Sequence, residues 1–363
     1  MHAVSVGEVL IALKLIGRWR ERDPDGTFVL AATTSTGFSL AEEKAPKGVR
    51  VIYSPVDLPW LVAGMFRRFN PRLLVLIESE LWPNLLWMAR RRGVPTVLAN
   101  ARLSPRSARR YRKLSWLAQP MLDLVDTVLA QAEEHAEDWR SLGIPPERVQ
   151  VTGSVKFDQE GMAVPKQRPE FTGMVEAFGK GRPVLMAVST HHGEEARIVR
   201  SVRGVAGLLP VIVPRHAERR AEVTADLVAE GCEVVLRSSF SRPRDGLGAV
   251  LVVDSTGELR DWTAEADVVV IGKSFLARGG QNPTEAIAAG LPVVCGPHME
   301  NFEPLMTQLR EAGAVRDACL DTLGEVVEEV LGNARLRREM TGAASAILMG
   351  HRGATSRTID AMP

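Results

Sequence analysis

The sequence predicts an α/β protein built from two doubly wound Rossmann-like domains that face each other across a cleft. Three observations carry this expectation. The chain has 363 residues, too many for one ordinary core and suited to two domains of about 150 residues each. Short β-branched runs without internal alternation are separated by helical patterns, which indicates parallel sheets covered on both faces. That rhythm breaks once, around residues 161–180, and then restarts.

In the first half the strand candidates are His2–Val6, Phe28–Ala31, Val49–Tyr53, Leu73–Ile77, Thr96–Ala99 and Thr127–Ala130. Helical patterns follow most of them, as in Glu8–Trp19, Leu58–Phe69 and Asn84–Arg92. The second half offers Val184–Val188, Val211–Val213, Glu233–Leu236, Val250–Val253, Asp267–Ile271 and Pro292–Cys295. A last helix is expected near Leu336–Leu348. The predicted division is residues 1–160, residues 161–345, and a segment 346–363 that packs back on the first domain.

Composition excludes several classes. The apolar content of 45% and charged content of 25% are those of globular chains, which argues against wholesale disorder. Cys232, Cys295 and Cys319 form no CxxC pair and no metal-ligand spacing, so a reduced, cytoplasmic protein is expected. No run approaches the roughly 18 apolar residues of a membrane span, and the N-terminal residues lack the basic-then-apolar pattern of a signal peptide, so a soluble or peripheral protein is expected. The net charge of +1 conceals an asymmetry: residues 61–120 hold twelve Lys and Arg against Glu78 and Glu80, a net +10. An excess of that size points to an anionic partner. No nucleic-acid partner is expected.

Ligands of doubly wound sheets bind beyond the carboxyl ends of the strands, and the unusual residues cluster there. Gly7 is expected to allow a tight turn after the first strand, with Glu8 in the first helical turn; a plain helix-start acid is the competing explanation. Glu78 and Glu80 follow the strand Leu73–Ile77, where carboxylates are costly unless paired or functional. Pro83 suits the first turn of the next helix, and Asn100-Ala101-Arg102 ends the following strand. Lys156, in Gly153–Asp158 at the end of the first domain, reads either as a group that offsets developing negative charge or, equally, as an ordinary solvated surface lysine. In the second half, Pro214-Arg215-His216 ends one strand and Ser255-Thr256-Gly257-Glu258 follows another. The turn around Gly279 and Gly280 leads into a helix near Ala286–Ala289 and is expected to offer free N–H donors to phosphate. Glu285 is positioned to accept ribose hydroxyls. There is no GxxxxGK[ST] and no GxGxxG after the first strand. His191 and His192 are adjacent, so they point apart and suit no metal.

These motifs, in order, resemble those of the 3-deoxy-D-manno-octulosonic acid (Kdo) transferases of lipopolysaccharide biosynthesis, inverting glycosyltransferases of the GT-B architecture. The likeness is carried by SVGE at 5–8, TSTG at 34–37, ESELWPN at 78–84 and NARLS at 100–104. It continues with GSVKFD at 153–158, PRHAER at 214–219 and GGQNPTEA at 279–286. The resemblance implies transfer of Kdo from CMP-Kdo to a lipid A precursor, lipid IVA, at the cytoplasmic face of the inner membrane. It implies Glu8 as general base and Glu78 and Lys156 as transition-state support. CMP is then held by Pro214 and Arg215, by Thr256, Gly257 and Glu258, and by Asn282, Pro283, Thr284 and Glu285.

No metal or other cofactor is expected, since basic and backbone donors can neutralise a single phosphate. Trp60, Leu61, Val62, Met65 and Phe66 with Arg67 and Arg68 read as an interfacial helix, or equally as ordinary core packing. Of these, Trp60, Phe66, Arg67 and Arg68, with Arg102, are assigned to the acceptor and the anionic membrane surface. Family members carry an N-terminal membrane anchor, whereas Met1 lies four residues before SVGE here. The expectation is therefore an absent anchor and a shortened first strand, with attachment through the basic surface. Two alternatives remain: another GT-B transferase or epimerase using a uridine nucleotide, and a non-catalytic protein that holds a nucleotide sugar or anionic lipid.

Overall fold

The structure, a computed structural model, describes residues 1–158, 165–244 and 248–363, without the side chains of Pro105 and Leu117. It divides into one unit of Met1–Glu160 with Gly350–Pro363 and a second of Gly161–Met349. The boundary expected at 160/161 lies outside the described residues.

The first unit runs β1 (His2–Ala3), α1 (Val6–Arg22), β2 (Val29–Ala32), α2 (Ser35–Lys44), β3 (Arg50–Tyr53), α3 (Pro59–Phe69) and β4 (Leu74–Ile77). It continues through α4 (Pro83–Arg91), β5 (Thr96–Ala101), α5 (Pro105–Lys113), α6 (Ser115–Leu122), β6 (Thr127–Ala130), α7 (Glu133–Ser141) and β7 (Val149–Val151). Its strands form one sheet in the order β3-β2-β1-β4-β5-β6-β7, parallel at every pairing. The direction of winding reverses between β1 and β4, which makes their carboxyl ends the expected ligand edge.

Period two decides how β4 packs. Leu74 and Leu76 join one apolar layer with Phe66, Leu86 and Trp139. Val75 and Ile77 join the opposite layer with Leu15, Ile16 and Leu30. A strand buried on both faces has no polar side to show, which explains its unbroken apolar run.

The second unit runs α8 (Pro169–Glu176), β8 (Val184–Thr190), α9 (Glu195–Val202), β9 (Leu209–Pro214), α10 (Arg220–Ala229), β10 (Glu233–Leu236), β11 (Ala249–Val252) and α11 (Leu259–Trp262). Then come β12 (Val268–Ile271), α12 (Thr284–Ala288), β13 (Val293–Cys295), α13 (Leu305–Glu311), β14 (Val315–Asp317), α14 (Leu323–Gly332) and α15 (Ala334–His351). Its parallel sheet has the order β10-β11-β9-β8-β12-β13-β14 and reverses between β8 and β12. Gly272 permits the close passage of the β12 and β8 ends, because a Cβ there would lie 2.6 Å from Ser189 O. The last helix, α16 (Ala354–Asp360), belongs to the first unit.

Several boundaries differ from expectation. β1 stops at Ala3 rather than Val6, because Ser5 takes the N-cap of α1 and turns the chain early. Gly7 lies inside α1 without a positive φ, so no tight turn requires it. The weak stretch 161–180 contains α8, whose Phe171 is fully buried against Trp262. Strands β7 and β14 have three residues each and escaped the periodicity.

The apolar residues of α3 split between core and surface. Val62 and Phe66 are fully buried and pack in the core, which favours the core-packing alternative for both and corrects the assignment of Phe66 to an interface. Trp60 is 65% exposed, Leu61 is exposed, and Arg67 and Arg68 are exposed at the carboxyl end. Truncating Phe66 to Ala should therefore cost about 3–5 kcal/mol, whereas Trp60→Ala should stay within about 0.5 kcal/mol of the parent. Urea unfolding of the two variants measures both.

Candidate functional site

The carboxyl edge of the first sheet gathers the residues that sequence reasoning selected there. Ser5 is extended (φ −103°, ψ 165°), and its hydroxyl accepts the Glu8 N–H at 3.2 Å. The Glu8 carboxylate folds back in return. Its Oε2 accepts the Val4 N–H at 2.8 Å, while Oε1 accepts the Ser5 hydroxyl at 2.8 Å and the Ser5 N–H at 3.3 Å. This reciprocal capping box satisfies donors that a helix start leaves orphaned. The plain capping role is thus realised, and it also holds the carboxylate in one orientation.

Three donors do not exhaust a carboxylate, which has roughly four lone-pair sites. Only 7% of the residue is exposed. Burial raises its pKa above the ordinary glutamate value, opposed by the bonds from Val4 and Ser5 and reinforced by Glu80 and Glu78. The outcome is a fixed carboxylate of increased basicity.

Glu78 stands directly after β4 with a left-handed backbone (φ 61°) and accepts from Arg102 Nε at 2.9 Å. A non-glycine residue in that region is strained. The paired Glu78 and its neighbour differ in their partners. Glu80 accepts the Trp82 indole N–H at 2.9 Å, and burial, then Glu78, raises its pKa. Asn100, also left-handed (φ 53°), lies where β5 shifts register against β6. Its Oδ1 accepts the Val155 N–H at 2.9 Å and its carbonyl accepts Gln131 Nε2 at 2.9 Å. Asn100 therefore ties β5 to the loop that bears Lys156. Protein around the Lys156 ammonium lowers its pKa; Glu78 opposes that shift and Arg102 adds to it. The expected trio of Glu8, Glu78 and Lys156 is electrostatically coupled through Glu78.

Arg102 belongs to this edge as the partner of Glu78, not to the surface of α3. Other members of the basic stretch are also paired, Arg112 with Asp138 and Arg90 with Asp126. His135 was missed. It opens α7 beyond β6, neither ring nitrogen bonds a protein atom, and burial lowers its pKa, with Arg102 and Glu78 among the charges acting on it. Its position, just past a strand's carboxyl end, was the available signal.

The second unit presents its candidates at the matching edge. Pro214 ends β9 and Arg215 is exposed beyond it. Thr256 and Gly257 are exposed after the neighbouring β11. Glu258 is already engaged, accepting Arg237 Nε at 3.1 Å, Arg168 Nη1 at 3.2 Å and the Ser255 hydroxyl. A second correction concerns the glycine turn. Gly279 N–H donates to Glu300 at 2.8 Å and Gly280 N–H to the Lys273 carbonyl at 3.1 Å, so neither is a free phosphate donor. Asn282 Oδ1 instead accepts the N–H and hydroxyl of Thr284, at 3.1 and 2.9 Å, which starts α12 with Glu285 in its first turn. That places the helix start at Thr284, two residues before Ala286. Pro283 and Thr284 are buried.

Sequence reasoning also overlooked Glu194. It is 1% exposed and braces two loops by accepting the N–H groups of His191 at 2.7 Å and Lys273 at 2.6 Å. The paired histidines point to different partners, His191 Nδ1 to the Ser189 carbonyl and His192 Nδ1 to Glu222. Among the described residues no group of three His, Cys, Asp or Glu is arranged to hold a metal ion. Nor is any described helix long and apolar enough to cross a membrane.

The family model described as 3-deoxy-D-manno-octulosonic-acid transferase (kdotransferase) matches residues 1–159. The Kdo transferase of Haemophilus influenzae is 33% identical over 99% of this chain and 85% of its own. That of Bordetella pertussis is 35% identical over 100% and 86%. The chain also shares the fold of two solved structures, Anabaena Alr3699/HepE in complex with UDP and the UDP-GlcNAc 2-epimerase from Neisseria meningitidis. Their TM-scores are 0.60 and 0.59 at 14% identity, with coverage of 97% and 98% of this chain and 94% and 98% of theirs. That fold is GT-B.

The capping box yields a direct expectation. Ser5→Ala removes a donor that favours the ionised Glu8, so the Glu8 carboxyl should titrate still higher, and stability should fall by about 1 kcal/mol. Carboxyl-carbon NMR titration and thermal unfolding read the two effects.

Proposed function

The chain belongs to the Kdo transferase family and is a glycosyltransferase, and we propose that it transfers Kdo from CMP-Kdo to a lipid A precursor with inversion, using Glu8 as general base. The observation that carries this reading is the Glu8 carboxylate, held rigidly by Val4 and Ser5 and made more basic by burial beside Glu78 and Glu80.

In the proposed step Glu8 takes the proton of the acceptor hydroxyl as its oxygen attacks the anomeric carbon of Kdo. The new C–O bond forms on the face opposite the leaving phosphate, the bond to CMP breaks, and CMP departs with the electron pair. A base works best when its pKa approaches the working pH, and the raised value of Glu8 moves it that way. Lys156 offsets negative charge in the transition state, and Glu78, fixed by Arg102, opposes the lowering of its pKa by burial.

The CMP moiety is assigned to the second unit. Arg215 takes the phosphate, the exposed Thr256–Gly257 turn lies against the nucleoside, and Glu285 accepts the ribose hydroxyls. Glu258 contributes by bracing Arg168 and Arg237 behind that turn. The Gly279–Gly280 turn has a structural part, its N–H groups being spent.

The acceptor carries phosphates and sits in a membrane, and this reading places the anionic surface of the inner membrane's cytoplasmic face against α3 and its neighbours. Support comes from the exposed Trp60, Trp87 and Trp116 together with Arg67, Arg68 and the arginines of α5. Amphipathic indoles beside cations suit a headgroup layer.

Glu8→Gln should lower turnover about 10²- to 10⁴-fold and leave CMP affinity within twofold, since the two groups lie on different units. Calorimetry with CMP and a CMP-release assay test this; retained turnover, or lost CMP binding, defeats the assignment. CMP should compete for the nucleotide site at least tenfold better than UMP, and chelation should leave turnover unchanged. Preference for UMP would favour a uridine-nucleotide enzyme.

A further inference from the structure

The loop that carries Lys156 is fastened mainly by residues almost two hundred positions later in the chain. Ser154 donates its buried N–H to His351 Nδ1 at 3.1 Å. Burial, and next Arg357, lower the pKa of His351 against the pull of Asp158, which favours the neutral ring that can accept this bond. At the loop's other end Asp158 is 2% exposed and caps α16. Its Oδ1 accepts the Gly353 N–H at 2.8 Å, while Oδ2 accepts the Thr355 N–H at 2.8 Å and the Thr355 hydroxyl at 2.5 Å. Arg357 donates to the Thr152 carbonyl at 3.0 Å just ahead of the loop. Gly153, left-handed at φ 88°, lets the backbones meet; a Cβ there would lie 2.9 Å from Arg357 and 3.1 Å from Ala354.

The loop and the C-terminal segment both grip the helix of Glu8. Lys14, on α1, donates to the carbonyls of Val155 at 3.1 Å and Asp158 at 2.5 Å. Arg18 donates to Ser356 at 3.0 Å, and Arg22 pairs with Asp360. Lys156 thus stands in a short span, Ser154–Asp158, with both ends pinned by buried polar bonds. An ammonium on a flexible stem is a poor electrostatic device unless its Cα is fixed.

We infer that Gly350–Asp360 is a positioning element for Lys156, with His351 and Asp158 as the positioning residues that set where its ammonium stands in the transfer reaction. This inference rests on the assignment of Lys156 to the transition state. His351 and Asp158 touch no reacting atom. Their effect belongs in turnover rather than in binding of the donor, because the group they place acts on charge that develops in the reaction.

A double-mutant cycle on the full chain, with CMP-Kdo and a lipid A precursor as substrates, tests it. His351→Leu should lower kcat about 10- to 100-fold with the donor KM within twofold. His351→Asn, whose Oδ1 falls near the position of Nδ1, should recover kcat to within about threefold. In a Lys156→Ala background His351→Leu should change kcat less than twofold, since its effect has nothing left to act through. Equal losses in both backgrounds, or an unchanged kcat in His351→Leu while Lys156→Ala is slow, would overturn the inference. An unchanged kcat in Lys156→Ala would instead remove the role of Lys156 itself. Should His351→Leu fail to fold, Thr355→Val, which removes the hydroxyl donor to Asp158, runs the same cycle with the same outcomes.

Discussion

The reciprocal bond between Ser5 and Glu8 is the interaction on which the candidate site depends. It ends β1 at Ala3, starts α1 at Val6, and so decides where on the sheet edge the carboxylate stands. A glutamate at the third helical position has a structural duty by default. Here that duty and the proposed chemistry are compatible, because the donors from Val4 and Ser5 orient the carboxylate without saturating it. Their stabilisation of the anion is outweighed by burial and by two neighbouring acids. A base needs both orientation and basicity, and the cap supplies the first while the surroundings supply the second.

The rest of the edge distributes charge so that these acids do not simply repel. Glu78 is neutralised by Arg102, Glu80 is held by the Trp82 indole, and Lys156 feels both members of the Glu78–Arg102 pair. Left-handed residues at Glu78 and Asn100 mark where the chain leaves the sheet under strain to bring these groups together. The C-terminal segment fixes the loop of Lys156 through His351 and Asp158, and Lys14 ties that loop directly to the helix of Glu8. Two groups assigned to a single step thereby share one rigid support.

Much of this was legible in the residues, for identifiable reasons. Parallel strands buried on both faces announce themselves as unbroken apolar runs, so the runs at β4, β5, β8 and β12 were found near their observed bounds. Polar residues just past apolar runs marked Glu8, Glu78 and Arg102. What escaped depends on partners distant in sequence. Nothing near Asp158 signals that it caps a helix beginning at residue 354, and nothing near Gly279 signals that Glu300 claims its N–H. Phe66 and Trp60 share one helix, and only the packing of the neighbouring layer puts one inside and the other out. Short strands such as β7, with two of three residues exposed, carry too little period to register.

In the proposed reaction, ionisation of the capped Glu8 carboxylate switches transfer on. The pH dependence of kcat/KM tests this most directly, because its acid limb reports the base of the free enzyme. The rate should rise with pH through a midpoint above the ordinary glutamate value, and that midpoint should move upward in Ser5→Ala. An acid limb at the ordinary value, or one that Ser5→Ala leaves in place, would contradict it.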